Sequence, residues 1–122
     1  MDRIEEFKLE GKNFIFIDLS GLKTGEEFSG QFELIKPVIS KYPELSLYLI
    51  TNISEIRFDS KIKGATLDFL KHNKPYVKYS VAFGADGIKK IVLGTMTKSC
   101  GRNEVFCVFT KEKAIEWSLQ QP

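Results

Sequence analysis

Apolar residues gather in four runs along this chain, each closed by turn-forming residues: NFIFID (13–18), LSLYLIT (45–51), YVKYSVAFG (76–84) and EVFCVFT (104–110). All but the third are nearly unbroken in apolar character, as strands covered on both faces are, and each run predicts a β-strand. Ahead of them IEEFKLE, with Ile4, Phe7 and Leu9 as its apolar members, predicts a short extra strand at a sheet edge. Such an edge pairs within the chain or with a second subunit, so a homodimer stays among the expectations.

Each run is followed by apolar residues at intervals of three to four, the helical period. After the first, Thr24 and Glu27 have capping-box spacing, and Phe28, Phe32, Ile35 and Ile39 recur on one face. Pro37 falls inside that pattern and is expected to kink or end the helix nearby, because proline lacks a donor and crowds the preceding turn. After the second run, Ile62, Ala65, Phe69 and Leu70 form a stripe closed by Asn73 and Pro75. After the third, Asp86 is placed to cap a helix with Ile88, Ile91, Val92 and Met96 on one face and its end at Gly101. The fourth helix is expected from Thr110, with Ala114, Ile115, Trp117 and Leu119 as its apolar members.

The order is strand then helix, four times over. Parallel strand–helix–strand crossovers are almost always right-handed, so the expectation is an α/β fold: a four-turn βα superhelix with a largely parallel sheet packed by helices. No linker or low-complexity tract divides it, and residues 1–122 are read as a single domain.

Composition adds exclusions. With 122 residues, 43% of them hydrophobic, the chain is long enough for one core without metal or disulfide support. A net charge of +2, with lysines interleaved among glutamates, argues against a nucleic-acid-binding stripe or a polybasic membrane patch. Cys100 and Cys107 fit no metal or redox spacing, and Cys107, set among apolar neighbours, reads as a core thiol. The opening MDRIEEF is acidic where a secretory signal needs a basic and then an apolar stretch, and no run approaches the roughly 20 apolar residues of a membrane span. A cytoplasmic protein without a transmembrane segment is expected.

FIFIDLSGL (14–22), HNKPYVKYSVAFGADGIKKI (72–91), KSCGR (98–102) and FTKEKAIEW (109–117) together resemble the bacterial SpoIIAA-like family, over almost the whole chain. That family groups with the STAS domains of anti-anti-sigma factors and with the CRAL-TRIO lipid-transfer domains. The resemblance implies the same βα superhelix and a role in binding a partner protein, or else in carrying an apolar small molecule. In anti-anti-sigma factors a helix opens with Asp-Ser-Ser-Gly, whose second serine is phosphorylated. Aligned on that motif, FDSKIKG (58–64) supplies Asp59 and Ser60, but puts Lys61 at the phosphoacceptor position. Without that hydroxyl the charge switch cannot operate there, and the stretch reads first as a helix cap worth about 1 kcal/mol.

Three groups of residues are therefore candidates. A partner-binding surface is expected around Asn52, Ser54, Asp59, Ser60, Lys61 and Gly64. Ligands of open α/β sheets sit beyond the carboxyl ends of the strands, which makes Asp18, Ser20, Thr51, Gly84, Asp86 and Gly87 a polar rim, although these residue types also favour caps and turns. Phe28, Phe32, Phe58 and Phe69 would line an apolar cavity if the helices part from the sheet as in CRAL-TRIO domains, with Gly30 and Pro37 loosening the first helix; otherwise they fill the core. His72 is the only histidine, and no spacing among it, the cysteines, Asp18, Asp59 and Asp86 carries a catalytic or metal-binding mechanism, so a non-enzymatic protein with no cofactor is expected.

Overall fold

The computed structural model describes residues 3–84, 91, 94, 95, 98 and 106–122. The chain begins with a hairpin: β1 (Ile4–Leu9) runs antiparallel to β2 (Lys12–Asp18) through Glu10 and Gly11, both with positive φ, the two-residue turn whose twist matches that of the strands. After α1 (Gly25–Ile39) the sheet continues with β3 (Leu47–Asn52), α2 (Ser60–Asn73) and β4 (Val77–Phe83). Further on come β5 (Phe106–Val108) and α3 (Lys111–Leu119). Strand order in space equals order in sequence, β1-β2-β3-β4-β5, with β2 to β5 mutually parallel. The result is an α/β fold on a mixed five-stranded sheet, and the extra N-terminal strand is an antiparallel edge.

The near-continuous apolar strands are explained by helices on both faces. Ile15 and Ile17 of β2, with Leu47 and Leu49 of β3, point to the face covered by α1 and α2 and pack with Phe28, Phe32, Ile35, Ile62 and Phe69. Their alternates Phe14, Tyr48 and Ile50 point the other way, where Val81, Ala114 and the half-buried Trp117 join them beneath α3. The period of two along each strand thus feeds two separate cores.

Helix starts follow local chemistry. Thr24 Oγ1 accepts from Glu27 N at 3.1 Å while Glu27 Oε1 accepts from Thr24 N at 3.1 Å, the reciprocal capping box expected for α1. Asp59 Oδ1 accepts from Ile62 N at 2.8 Å and Thr110 Oγ1 accepts from Lys113 N at 3.1 Å, capping α2 and α3. Pro37 lies inside α1, which ends two residues later at Ile39, close to where a proline is expected to end a helix.

Several expectations change. The strand expected from residue 45 begins at Leu47: Leu45 is exposed with φ 51°, and its N–H donates to Pro75 O at 3.0 Å, so it turns the chain into the sheet. Cys107 is half-buried, because β5 is the strand at the far sheet edge, not an interior one. Ile91 is exposed where an apolar face was expected. Asp86, Gly87, Ile88, Val92, Met96, Cys100 and Gly101 lie outside the described residues.

Candidate functional site

Parallel strands deliver their carboxyl ends to one edge of the sheet, and two of them end in the same local design. Asp18 closes β2 and Asn52 closes β3, paired in register, and each is followed two residues on by serine. Asp18 Oδ1 accepts from Ser20 N at 3.0 Å and from Ser20 Oγ at 2.5 Å; Asn52 Oδ1 accepts from Ser54 N at 3.0 Å and from Ser54 Oγ at 2.6 Å. These are side-chain-closed turns, and Asn52 Nδ2 links them by donating to Asp18 Oδ1 at 3.2 Å. Arg3 Nη1 fastens the outer side, donating to the carbonyls of Asp18 (3.0 Å) and Ser20 (2.8 Å). Gly84, at φ 86°, meets the same rim from β4: a Cβ there would collide with Ser54 Oγ. Asp18, Ser20, Asn52, Ser54 and Gly84 therefore come together, with Asp18 Oδ1 and Asn52 Oδ1 already satisfied.

Beside this rim, α1 and α2 present their N-termini. Asp59 is occupied as a cap, whereas Ser60, Lys61 and Gly64 are exposed on neighbouring turns of α2. Lys61 Nζ lies 3.7 Å from Glu26 Oε1 of α1. The Glu26 carboxyl is held below the usual carboxylate range by its own backbone N–H at the helix start and then by Lys61.

Under the two helices lies a cavity of about 50 Å³. Phe28 and Phe32 of α1, Phe69 of α2 and Phe58 of the connecting loop line it, and the Phe32 and Phe69 rings stack at 4.1 Å between centroids. Leu49, Thr51, Ser80 and Ala82 form its floor on the sheet. Thr51, expected only at the rim, thus also belongs to the cavity. Thr51 and Phe58 are half-buried while the other described lining residues are buried, which puts the cavity's more exposed side next to the rim.

Sequence reasoning passed over three polar lining residues, Thr66, Asn73 and Ser80. The signal for two of them was their spacing: Thr66 and Asn73 are seven apart, in line with Phe69 and Leu70 on the core stripe of α2.

Among the described residues the candidate catalytic groups are not brought together. His72 Nδ1 lies 2.9 Å from Asn73 Oδ1 at the far end of α2 from the rim, and Asp59 is spent on its cap. Among the described residues no cluster of His, Cys, Asp and Glu could hold a metal ion, and no helix is long and apolar enough to cross a membrane. The sequence matches no protein-family model, and no curated protein matches it significantly.

Proposed function

We propose that this chain is a non-enzymatic, STAS-like regulatory module that binds a partner protein through the surface formed by Asn52, Ser54, Ser60, Lys61 and Gly64. The observation that carries the reading is Gly64. It lies inside α2, exposed, and a Cβ built on it would meet nothing within 4 Å. Glycine in a helix interior costs about 1 kcal/mol relative to alanine, and no packing among the described residues requires it here. Bare backbone at Gly64, one turn from Ser60 and Lys61, suits the close approach of another molecule.

The finer fold reading belongs to the same proposal. Sequential strand order, parallel pairing from β2 to β5, and helical backbone at Ile91, Gly94, Thr95 and Lys98 between β4 and β5 support a four-turn βα superhelix of the SpoIIAA-like kind. The test is affinity capture from the source cell with wild-type, Lys61→Glu and Gly64→Trp baits, beside a Lys8→Glu control on β1. A protein retained by the wild type and the control but lost from both α2 variants supports the reading; capture indifferent to Lys61 and Gly64 ends it.

A second reading, a carrier or sensor of an apolar small molecule, is favoured by the cavity under α1 and α2. At about 50 Å³ it is a third of the roughly 150 Å³ that takes benzene, so an acyl chain would need the helices to move.

A further inference from the structure

The cavity's polar content is the unexplained part of the interior. Thr66 is 8% exposed and Asn73 is fully buried, and both face the cavity from the core stripe of α2. Thr66 Oγ1 and Asn73 Nδ2 have no hydrogen-bond partner among the described residues. Buried polar atoms are nearly always paired, and two unpaired atoms on one cavity point to something that pairs them. Asn73 Oδ1 lies 2.9 Å from His72 Nδ1; with the ring proton on Nδ1, His72 donates to Oδ1 and Nδ2 is the amide atom left without a partner.

The remaining walls define the chemistry. No charged side chain is among the described lining residues, so an ionised ligand would lose its hydration without gaining a counter-charge. Phenylalanine, leucine and isoleucine dominate the lining, which suits an apolar body. Water molecules would find polar partners in Thr66, Asn73 and Ser80 but would leave most of that wall without complementary contact.

We propose that this cavity binds an uncharged small molecule, or the uncharged polar end of a larger one, whose oxygen pairs with Asn73 Nδ2 or, two helical turns away, with Thr66 Oγ1, while its carbon atoms lie against Phe28, Phe32 and Phe69. The proposal rests on the carrier or sensor reading and adds the polarity of the ligand to it. A longer ligand leaves the cavity between Thr51 and Phe58, toward the rim.

Ethanol and propane have the same shape and differ in one hydroxyl, which makes them the probes. Methyl-labelled protein is titrated with each, following the side-chain methyls of Ile53, Ile56 and Leu70, for the wild type, Thr66→Val and Asn73→Leu; dispersed spectra establish that each variant folds. Three heavy atoms support only roughly millimolar binding, so the readout is the ratio of the two affinities. Ethanol should bind the wild type at least about fivefold more tightly than propane, and the variant at the atom it bonds, Thr66→Val or Asn73→Leu, should abolish or reverse that preference while the other keeps it; a preference unchanged in both variants would overturn the proposal. Propane binding the wild type as well as ethanol would overturn the proposal while leaving an apolar-ligand cavity intact. If neither probe shifts these methyls, and they show contacts to a long-lived water, the occupant is solvent and the carrier reading falls as well.

Discussion

Ser54 lies across Gly84 so closely that position 84 has no room for a side chain, and this contact locks the end of β3 to the end of β4. Gly84 also holds φ 86°, a conformation that L-residues adopt only under strain. Gly84→Ala is expected to cost about 2–4 kcal/mol, from backbone strain and from displacement of Ser54, which must then give up its bonds to Asn52. Chemical denaturation measures the loss. A change below about 1 kcal/mol would mean that the rim is not rigid.

Gly64 makes the opposite prediction. Gly64→Ala should raise stability by about 1 kcal/mol, seen as a higher denaturation midpoint, because the helix gains propensity and the new methyl meets no atom. Gly64→Trp should leave the isolated fold within about 1 kcal/mol of wild type and remove partner capture. Stability and binding would then separate at one position.

The opening of α2 tests cap against switch. Asp59→Ala removes the acceptor of the Ile62 N–H and should cost about 1 kcal/mol, with Asp59→Ser recovering most of it. Ser60 is exposed in the first turn and caps nothing, so Ser60→Ala should stay within about 0.5 kcal/mol. Thermal melts of the three variants at one pH decide the matter.

Tyr42 gives the fold an alkaline limit. Burial, and then the hydrogen bond from its hydroxyl to Glu6 Oε1 at 2.6 Å, push the phenol up to about 12 from an ordinary value of 10. A raised folded value favours the neutral form, so this contribution is present in full below pH 10 and is lost as pH rises from 10 toward 12. Burial raises the Tyr48 phenol as well, so a phenolate absorbance titration should show late-ionising tyrosines, of which Tyr42→Phe removes one. The same variant should lose less stability than wild type between pH 10 and 12.

Lys12 ties the last helix to the first hairpin. Its Nζ donates to the Leu119 carbonyl at 2.8 Å and the Gln121 carbonyl at 2.6 Å, supplying a positive charge where the carbonyls of α3 have no helical partners. Lys12→Met should cost about 1–2 kcal/mol and, more specifically, raise amide exchange in α3 relative to α1. Equal protection of α3 in both proteins would show that packing beneath Ala114 holds the helix unaided.

What could be read from the sequence was what neighbouring residues decide among themselves. The Thr24–Glu27 box and the Asp59 cap are bonds between residues three apart, and the strands announce themselves because both their faces are covered. Leu45 misled because it carries strand-like chemistry, while its conformation is set by the Pro75 carbonyl thirty residues on. Ser54 and Gly84 gave no local sign of meeting. Thr66 went unnoticed, and Asn73 was read only as the close of its helix, for another reason: a pattern search counts apolar residues, and a polar residue within an apolar stripe looks like a gap. The four phenylalanines were visible as a set, but whether they close completely or leave space depends on α1, α2 and β3 docking together, which no single stretch encodes.

Residues 60–73 form one helix about 20 Å long, with Ser60, Lys61 and Gly64 on its outer surface and Thr66 and Asn73 on its inner one. A rod of that length moves as a unit, so drawing its inner face toward the sheet reorients its outer face too. Thermodynamic reciprocity then ties the two faces together: an occupant that tightens a partner's grip on the outside is itself held more tightly, by the same factor, when that partner is bound.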